Sequence, residues 1–235
     1  MNTKFLSTLT ATAAATALFG AAAPAQAASF GTGGISFANT QEVIFTFGET
    51  HGLFQSSLGI YEVNKSSTNK LTTSLVKSLF TEIKPSDNGA ANEYKGTLGN
   101  TVLGPGKVAF TFLANKIYTL GLATVKRGSV FSTSALNGGS QQAVFGDQSL
   151  LTALDKDTTN TFQAAGQFTN GLNPLFNGGA VISFDDGGNG NDRDFQDFTV
   201  TAEAVPEPMT MTGLALGLGG LVAARRRRRG SNTAS

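Results

Sequence analysis

The 235-residue chain contains no cysteine and no tryptophan, and His51 is its single histidine. Without cysteine the protein has no disulfide bond, no thiolate nucleophile and no cysteine-ligated metal. His51 lies in a Glu-Thr-His-Gly stretch that predicts a turn, and no Gly-x-Ser-x-Gly motif provides a serine nucleophile for it to activate. We therefore expect His51 to be a solvated turn residue and the protein not to be an enzyme.

Charged residues are also scarce, at 14% of the chain, and the basic ones are unevenly placed. Residues 28–208 carry 11 lysines and arginines against 16 acidic residues, which gives a net charge of −5. This acidic balance argues against nucleic acid and against an anionic membrane surface as partners, because no basic patch remains once the two ends of the chain are excluded.

The C-terminal segment, residues 205–235, has three parts in sequence. Val-Pro-Glu-Pro is followed by sixteen residues without a charge, 209–224, and then by five arginines: Arg225, Arg226, Arg227, Arg228 and Arg229. As a helix, the uncharged run would span about 24 Å, which only marginally crosses a hydrocarbon core of about 30 Å. The arginines would stay on the cytoplasmic side and leave the preceding chain on the far side of the membrane. The pattern predicts a transmembrane sorting helix, with an ordinary C-terminal anchor as the alternative.

This tail resembles the PEP-CTERM sorting signal of exported bacterial proteins, with Pro206, Glu207 and Pro208 as the signature. It departs from that pattern because six residues, 230–235, follow the arginines. The resemblance implies that an exosortase-type processing enzyme in the membrane recognises the chain, cuts it near the motif and releases or re-attaches the product. It also implies an association with exopolysaccharide and biofilm production.

The N-terminal segment has the complementary features of a secretory signal peptide. Lys4 precedes a mostly small and apolar run, and Ala25 and Ala27 form a small-x-small cleavage site. The pattern predicts removal of residues 1–27 and a mature chain that starts at Ala28. An uncleaved helix is the alternative.

Residues 28–204 between these two signals are enough for one domain with a sizeable core. β-Branched and aromatic residues alternate with period two, which predicts short half-buried strands separated by turns. The predicted strands are at residues 34–37, 42–47, 57–63, 101–103, 107–113, 117–122, 180–184 and 198–202. The three strands within residues 101–122 predict two hairpins, and residues 128–179 have no clear strand pattern.

One short helix is predicted at residues 72–82, because Leu75, Val76, Leu79 and Phe80 have helical spacing. A run of strands without repeated helices excludes a βαβ arrangement. We therefore expect an all-β protein, an antiparallel β-sandwich of jelly-roll type.

A loop rich in Asp, Gly and Asn, residues 185–197, separates the last two predicted strands. Its oxygen donors suit a hard cation such as Ca²⁺, and its glycines allow sharp turns. The loop is not an EF-hand, because Gly187 and Gln196 occupy positions where that motif needs ligands. A solvated β-turn is the alternative. The candidate ligands are Asp185, Asp186, Asn189, Asp192, Asp194 and Asp197.

The same acids raise the alternative of a secreted carbohydrate-active enzyme, since a glycosidase needs two carboxyl groups about 5–10 Å apart. Acids crowded into one loop lack the apolar pocket that a general acid needs, whereas a divalent cation neutralises them directly. A cation is therefore the simpler interpretation.

Three pieces of the body, at residues 57–63, 103–106 and 184–197, resemble an Asp/Gly-loop β-domain of bacterial surface proteins. In that domain the closing turn carries Asn where this chain has Gln196. The resemblance implies a surface or matrix module without enzymatic activity. Together with the tail it predicts an exported protein, first anchored in the inner membrane and then at the cell surface or extracellular. We expect a structural, adhesive or polysaccharide-associated role.

Overall fold

The structure, a computed structural model, describes residues 28–86, 95–156, 162–164, 168, 172–187 and 193–206. These residues form two antiparallel sheets with few helices, so the all-β prediction is confirmed. The first sheet contains, in order, β1 (Ser29–Gly31), β2 (Gly34–Ser36), β7 (Tyr118–Thr124), β4 (Ser56–Lys65) and β5 (Leu71–Thr81), with β8 (Gly128–Phe131) paired to β7. The second contains β6 (Lys107–Phe112), β3 (Gln41–Thr50), β11 (Phe198–Ala204), β10 (Ala180–Phe184) and β9 (Ala143–Gly146).

The helices of the described chain are short. They are a 3₁₀ helix at Ser134–Asn137, α1 (Gln148–Lys156) and α2 (Leu172–Phe176). None of the helices in this part of the chain is long and apolar enough to span a membrane. The predicted transmembrane segment, residues 209–224, lies outside the described residues.

The main core lies between the two sheets and follows from the alternation in the strands. In β3, Val43 and Phe45 are fully buried, whereas Glu42 is exposed. The two buried side chains belong to one cluster with Leu58 and Leu120 of the first sheet. The period-two pattern therefore corresponds to a sheet that packs one of its faces against the core, as expected for antiparallel sheets.

The helix predicted at residues 72–82 is wrong, because this segment is strand β5. It pairs with β4 along its whole length, with irregularities in the register near Gly59 and Tyr61. Leu79 and Phe80 are buried, but Leu75 and Val76 are exposed. Helical spacing of four apolar residues was misleading here, since the Ser, Thr and Val content of the segment fits an edge strand.

The two hairpins predicted within residues 101–122 are also wrong. β6 pairs with β3 in the second sheet, and β7 pairs with β4 in the first. Residues 101–103 form no strand, and Val102 makes isolated bridges with Glu82 and Leu98. The connection between β6 and β7 therefore crosses from one sheet to the other. By contrast, the predicted pair at residues 180–184 and 198–202 is confirmed as the antiparallel partners β10 and β11.

A second, smaller apolar cluster covers the other face of the second sheet. Leu150 and Leu154 of α1 pack there with Val144 of β9, Val181 of β10 and Phe195. Phe195 is fully buried, so this cluster holds down the segment that leads into β11.

The strand directions give the sandwich two distinct ends. β3 and β7 finish, and β4 and β11 begin, at the same end, because Thr50 pairs with Phe198 and Ser56 with Thr124. We call it the loop end; it carries residues 51–55, 82–86, 95–106, 125–127 and 185–197 where described. The other, terminal end carries both ends of the described chain: Val205 N donates to Glu42 O there.

Candidate metal centre

Four of the six predicted ligands lie in the described residues, and the fold brings them together at the loop end. Asp185 and Asp186 follow β10, and Asp194 and Asp197 precede β11. Because β10 and β11 are antiparallel partners, the residues that flank their facing ends lie side by side. The site is thus built on the one strand pair that the sequence predicted correctly as neighbours.

All four of these aspartates are buried, with only 0% to 8% of each residue exposed. The alternative of a solvated turn therefore does not describe them, since a solvated turn leaves its carboxylates in water. The remaining predicted ligands, Asn189 and Asp192, lie outside the described residues.

Three of the aspartates present oxygen atoms to a common point. Carboxylate oxygens of Asp185, Asp186 and Asp197 all lie within 4.8 Å of one another. Ca²⁺ binds oxygen at about 2.3–2.6 Å, so two ligands of one ion are at most about 5 Å apart. The three carboxylates have a separation that a single Ca²⁺ can bridge.

Backbone hydrogen bonds hold these carboxylates in position. Asp186 N donates to Asp197 Oδ2 at 2.6 Å, and Gly187 N donates to Asp185 Oδ1 at 2.7 Å. Asp197 N in turn donates to the Phe184 carbonyl at 3.0 Å. Each of the three acids is therefore tied to the backbone that follows β10 or leads into β11.

The electrostatics of the cluster disfavour bare carboxylates. Burial raises the pKa of Asp197 well above its ordinary value, and the charges of Asp186, Asp194 and Asp185 raise it further. Burial and like charge both disfavour the ionised form, and either a proton or a bound cation relieves them. The cluster is therefore a candidate site for a cation, with protonation of a carboxyl group as the other way to relieve the repulsion.

Glu82 is a fifth buried acid beside this cluster, and the sequence reasoning missed it. It is 1% exposed and accepts hydrogen bonds from Thr50 Oγ1 at 2.7 Å and from Ser56 N at 2.9 Å. Its pKa is raised to about 7, mainly by burial and also by the charge of Asp186. The hydrogen bonds of Thr50, Ser56 and Ser86 act in the opposite direction and lower it. Glu82 is thus close enough to Asp186 for the two acids to interact.

A signal for Glu82 was present in the sequence. It follows buried Phe80 by two residues, and residues two apart in a strand share a face. Assigning residues 72–82 to a helix hid this relation, because an acid at the end of a short amphipathic helix is expected in solvent.

His51 is not the solvated turn residue that we expected. Its side chain is only 12% exposed, and Nε2 lies 3.4 Å from Glu49 Oε1. Its backbone N donates to the Asp197 carbonyl at 3.2 Å. Burial favours a higher pKa for Glu49, but the hydrogen bonds and charges of His51 and Lys95 outweigh it, so that pKa is lowered.

The next residue, Gly52, packs directly against the acidic cluster. A Cβ at this position would lie 3.2 Å from Asp186 Oδ2 and 3.4 Å from Asp197 Cβ. The loop after β3 therefore closes over the two carboxylates, and a glycine permits this close approach.

Compared with protein-family models, with curated proteins and with solved structures, the chain has no match. The resemblances of the tail and of the Asp/Gly loop stay predictions from the sequence. Of the predicted sorting and cleavage residues, Ala28 is half-buried against the main core and Pro206 is exposed. The others lie outside the described residues: Ala25, Ala27, Glu207, Pro208, Arg225, Arg226, Arg227, Arg228 and Arg229.

Proposed function

We propose that this chain is an exported, non-enzymatic protein of the cell envelope or extracellular matrix. Residues 1–27 direct export, and the PEP-CTERM tail makes the chain a substrate of an exosortase-type processing enzyme. The observation that carries the proposal is the placement of the motif: β11 ends at Ala204, and Pro206 directly after it is exposed. A processing enzyme needs its recognition segment outside the folded body, since buried backbone is protected from cleavage.

The proposal includes a jelly-roll arrangement for the body. The chain passes repeatedly between the sheets: β3 lies in the second, β4 and β5 in the first, β6 in the second, and β7 in the first. Such crossings, with the last strand returning beside β3, support a jelly roll over a meander. This architecture leaves the loops of one end free to form a binding surface.

We assign the acidic cluster a structural cation, with Ca²⁺ as the first candidate. Asp185, Asp186 and Asp197 would hold it, with Asp194 beside them and Asn189 and Asp192 as further predicted ligands. A cation bound only by the folded protein stabilises it by mass action. In this cysteine-free exported body, it would take the role that disulfides have in other secreted domains.

The alternative, a secreted carbohydrate-active enzyme, rests on Glu82. A pKa of about 7 is what a general acid needs at neutral pH. However, Glu82 is 1% exposed and already accepts hydrogen bonds from Thr50 and Ser56, so a sugar has no direct approach to its carboxyl group. The burial of the acids therefore favours the structural cation over hydrolysis.

Incubation of residues 28–206 with candidate exopolysaccharides is expected to give retention on the polymer without new reducing ends. A surface module binds the polysaccharide and leaves it intact, whereas a glycosidase releases one reducing end for each glycosidic bond that it cuts. Reducing-end assays and pull-down on the insoluble polymer measure the two outcomes. Release of reducing ends that is lost in Glu82→Gln would establish the enzyme instead.

Replacement of Pro206, Glu207 and Pro208 by alanine is expected to leave a full-length, membrane-bound precursor in a host with the processing enzyme. The wild-type chain should lose its tail there, because the motif is the recognition element. Mass spectrometry of protein from membrane and medium locates both cleavage sites. A matched control replaces Ser231, Asn232 and Thr233 by alanine and should be processed normally. Equal processing of motif variant and wild type would make the tail an ordinary anchor.

A further inference from the structure

The first sheet has an outer face, which is the face opposite the core. Gly59 of β4 and Gly121 of β7 are paired in the middle of this sheet. A Cβ on Gly59 would lie 2.6 Å from Leu75 Cδ1, and one on Gly121 would lie 2.6 Å from Tyr61 Cε2 and 3.1 Å from Phe131 Cδ1. These three side chains therefore lie on the same face as the two glycines.

The outward positions of this face carry no charge. Residues that are paired in neighbouring strands share a face, and so do residues two apart in a regular strand. The outward residues in the ranges Ser57–Val63, Thr73–Thr81 and Ile117–Ala123 are therefore Ser, Thr, Gly, Ala, Val, Leu, Ile and Tyr. β8 adds Ser129 and Phe131 to them.

The nearest charged residues lie beside the outer face or on the core side of the sheet. Lys77 and Glu62 pair with residues that are buried in the core, so they are on the core side at the margin of the sheet. Lys116 forms an ion pair with Glu62 at 2.8 Å. Lys65, the last residue of β4, marks one end of the uncharged area.

The second sheet differs on its own outer face. Leu150 and Leu154 of α1 cover it over β9 and β10. Where it is exposed, along β3, β6 and β11, it carries Glu42, Lys107 and Glu203. The outer face of the first sheet has no such charges, and no described helix covers Leu75 or Ile117, which are 56% and 53% exposed.

We propose that this outer face binds the same face of a second copy of the chain. In a two-fold symmetric dimer a surface contacts itself, so a charged face would bring like charges together. An uncharged face avoids this repulsion and buries no unpaired charge. β-Sheets pack face to face about 10 Å apart, and Leu75 and Ile117 supply apolar area for such a contact.

The size of the face fits a weak dimer. β4 and β5 contain 10 and 11 residues, and β7 and β8 lie on the other side of β4. Four strands about 4.8 Å apart, each rising about 3.3 Å per residue, give an area of up to about 19 Å by 30 Å. Two copies would then bury up to about 1,100 Å², and a specific interface needs about 1,000 Å². We therefore expect the dimer to depend on protein concentration.

Cysteine cross-linking of the full chain in a host that exports it tests the contact. The wild-type chain has no cysteine and gives no background. Ser57→Cys and Ser78→Cys each place one thiol on the outer face, and Thr152→Cys places one on the exposed side of α1, over the second sheet. A short bifunctional maleimide is expected to give a dimer band on a denaturing gel with the two face variants and none with Thr152→Cys.

A charge introduced on the face should prevent the contact. Leu75→Lys in the Ser78→Cys chain is expected to lower the cross-linked fraction at least about tenfold, because the dimer would bury an unpaired ammonium group on each copy. Ile117→Lys is a second variant with the same expected effect. The matched control Leu113→Lys changes a leucine that is 47% exposed and lies after β6 in the second sheet, and it should cross-link like its parent.

Labelling with a monofunctional maleimide separates the other occupants of the face. Ser78→Cys chains that are labelled but give no dimer band would overturn the proposal, because the face is then open and unoccupied. Chains that are neither labelled nor cross-linked would overturn it too, since another segment or another protein then covers the face. Protection from labelling only after addition of exopolysaccharide would assign the face to a sugar polymer instead. Equal dimer bands from Ser78→Cys and Thr152→Cys would show random collision.

Discussion

Addition of about 10 mM Ca²⁺ is expected to raise the melting temperature of residues 28–206 by roughly 5–10 °C over the same protein in EGTA. Extracellular Ca²⁺ sites bind with Kd near 0.1–1 mM, so this concentration reaches about 100 times Kd at the tighter limit. Such an excess stabilises the folded state by about 2.7 kcal/mol. The buried carboxylates of Asp185, Asp186 and Asp197 supply the attraction, because a cation removes their mutual repulsion. Differential scanning calorimetry measures the increment.

The charge of the cluster also predicts that a variant with fewer acids is more stable than the wild type when no Ca²⁺ is present. Asp194→Asn with Asp197→Asn should be more stable than the wild type in EGTA, since it removes buried like charges, and should lose the Ca²⁺ increment. The control Asp155→Asn with Glu203→Gln neutralises two exposed acids outside the cluster and should keep the increment. A wild-type melting temperature that is the same in Ca²⁺ and EGTA would leave the loop as a hydrogen-bonded turn without metal.

In EGTA, the melting temperature is expected to fall as the pH rises from about 5 to about 8. Burial raises the pKa of Glu82 from 4.5 to about 7, so between these values the folded state holds a proton that the unfolded state has lost. The contribution of Glu82 to the free energy of unfolding is therefore fully present below its pKa in the unfolded state. It is lost as the pH rises through its pKa in the folded state. A shift of this size corresponds to on the order of 3 kcal/mol. The raised pKa of Asp197 acts in the same direction.

Thermal melts in EGTA across this pH range measure the effect, with Glu82→Gln as the informative variant. Its melting temperature should fall less steeply, because the introduced amide does not titrate, whereas Glu203→Gln at an exposed site should keep the wild-type slope. Ca²⁺ should also reduce the fall, since metal binding favours the ionised carboxylates. A wild-type melting temperature that rises over this range in EGTA contradicts the assigned pKa of Glu82.

The acidic cluster shows which properties of a site a local sequence pattern can predict. Asp185, Asp186, Asp194 and Asp197 were grouped from sequence because two adjacent predicted strands flank them, and an antiparallel pair brings such flanks together. Their burial could not be predicted in the same way. It depends on Gly52 from the loop after β3, which lies far earlier in the chain.

The wrong predictions have the same cause, because each considered only residues that are close in the sequence. β5 was assigned to a helix because periodicity was judged within the segment alone, whereas β4 beside it supplies the hydrogen bonds that make it a strand. β6 and β7 were expected to pair because they are adjacent in sequence, but β6 lies beside β3. His51 was expected in solvent, and the hydrogen bond from its backbone N to the Asp197 carbonyl arises only when β3 and β11 are side by side.

The sequence by itself determined the all-β character of the body, the Asp-rich segment between its last two strands and the order of motif, apolar run and arginines at the C-terminus. These features depend on residues that are close in the chain, where alternation, turn chemistry and charge act directly. Only the tertiary structure decided that Glu82 joins the aspartates and that their carboxylates are withdrawn from water. Those properties depend on strand pairing between distant segments, because sheet hydrogen bonds and burial are set by neighbours in space.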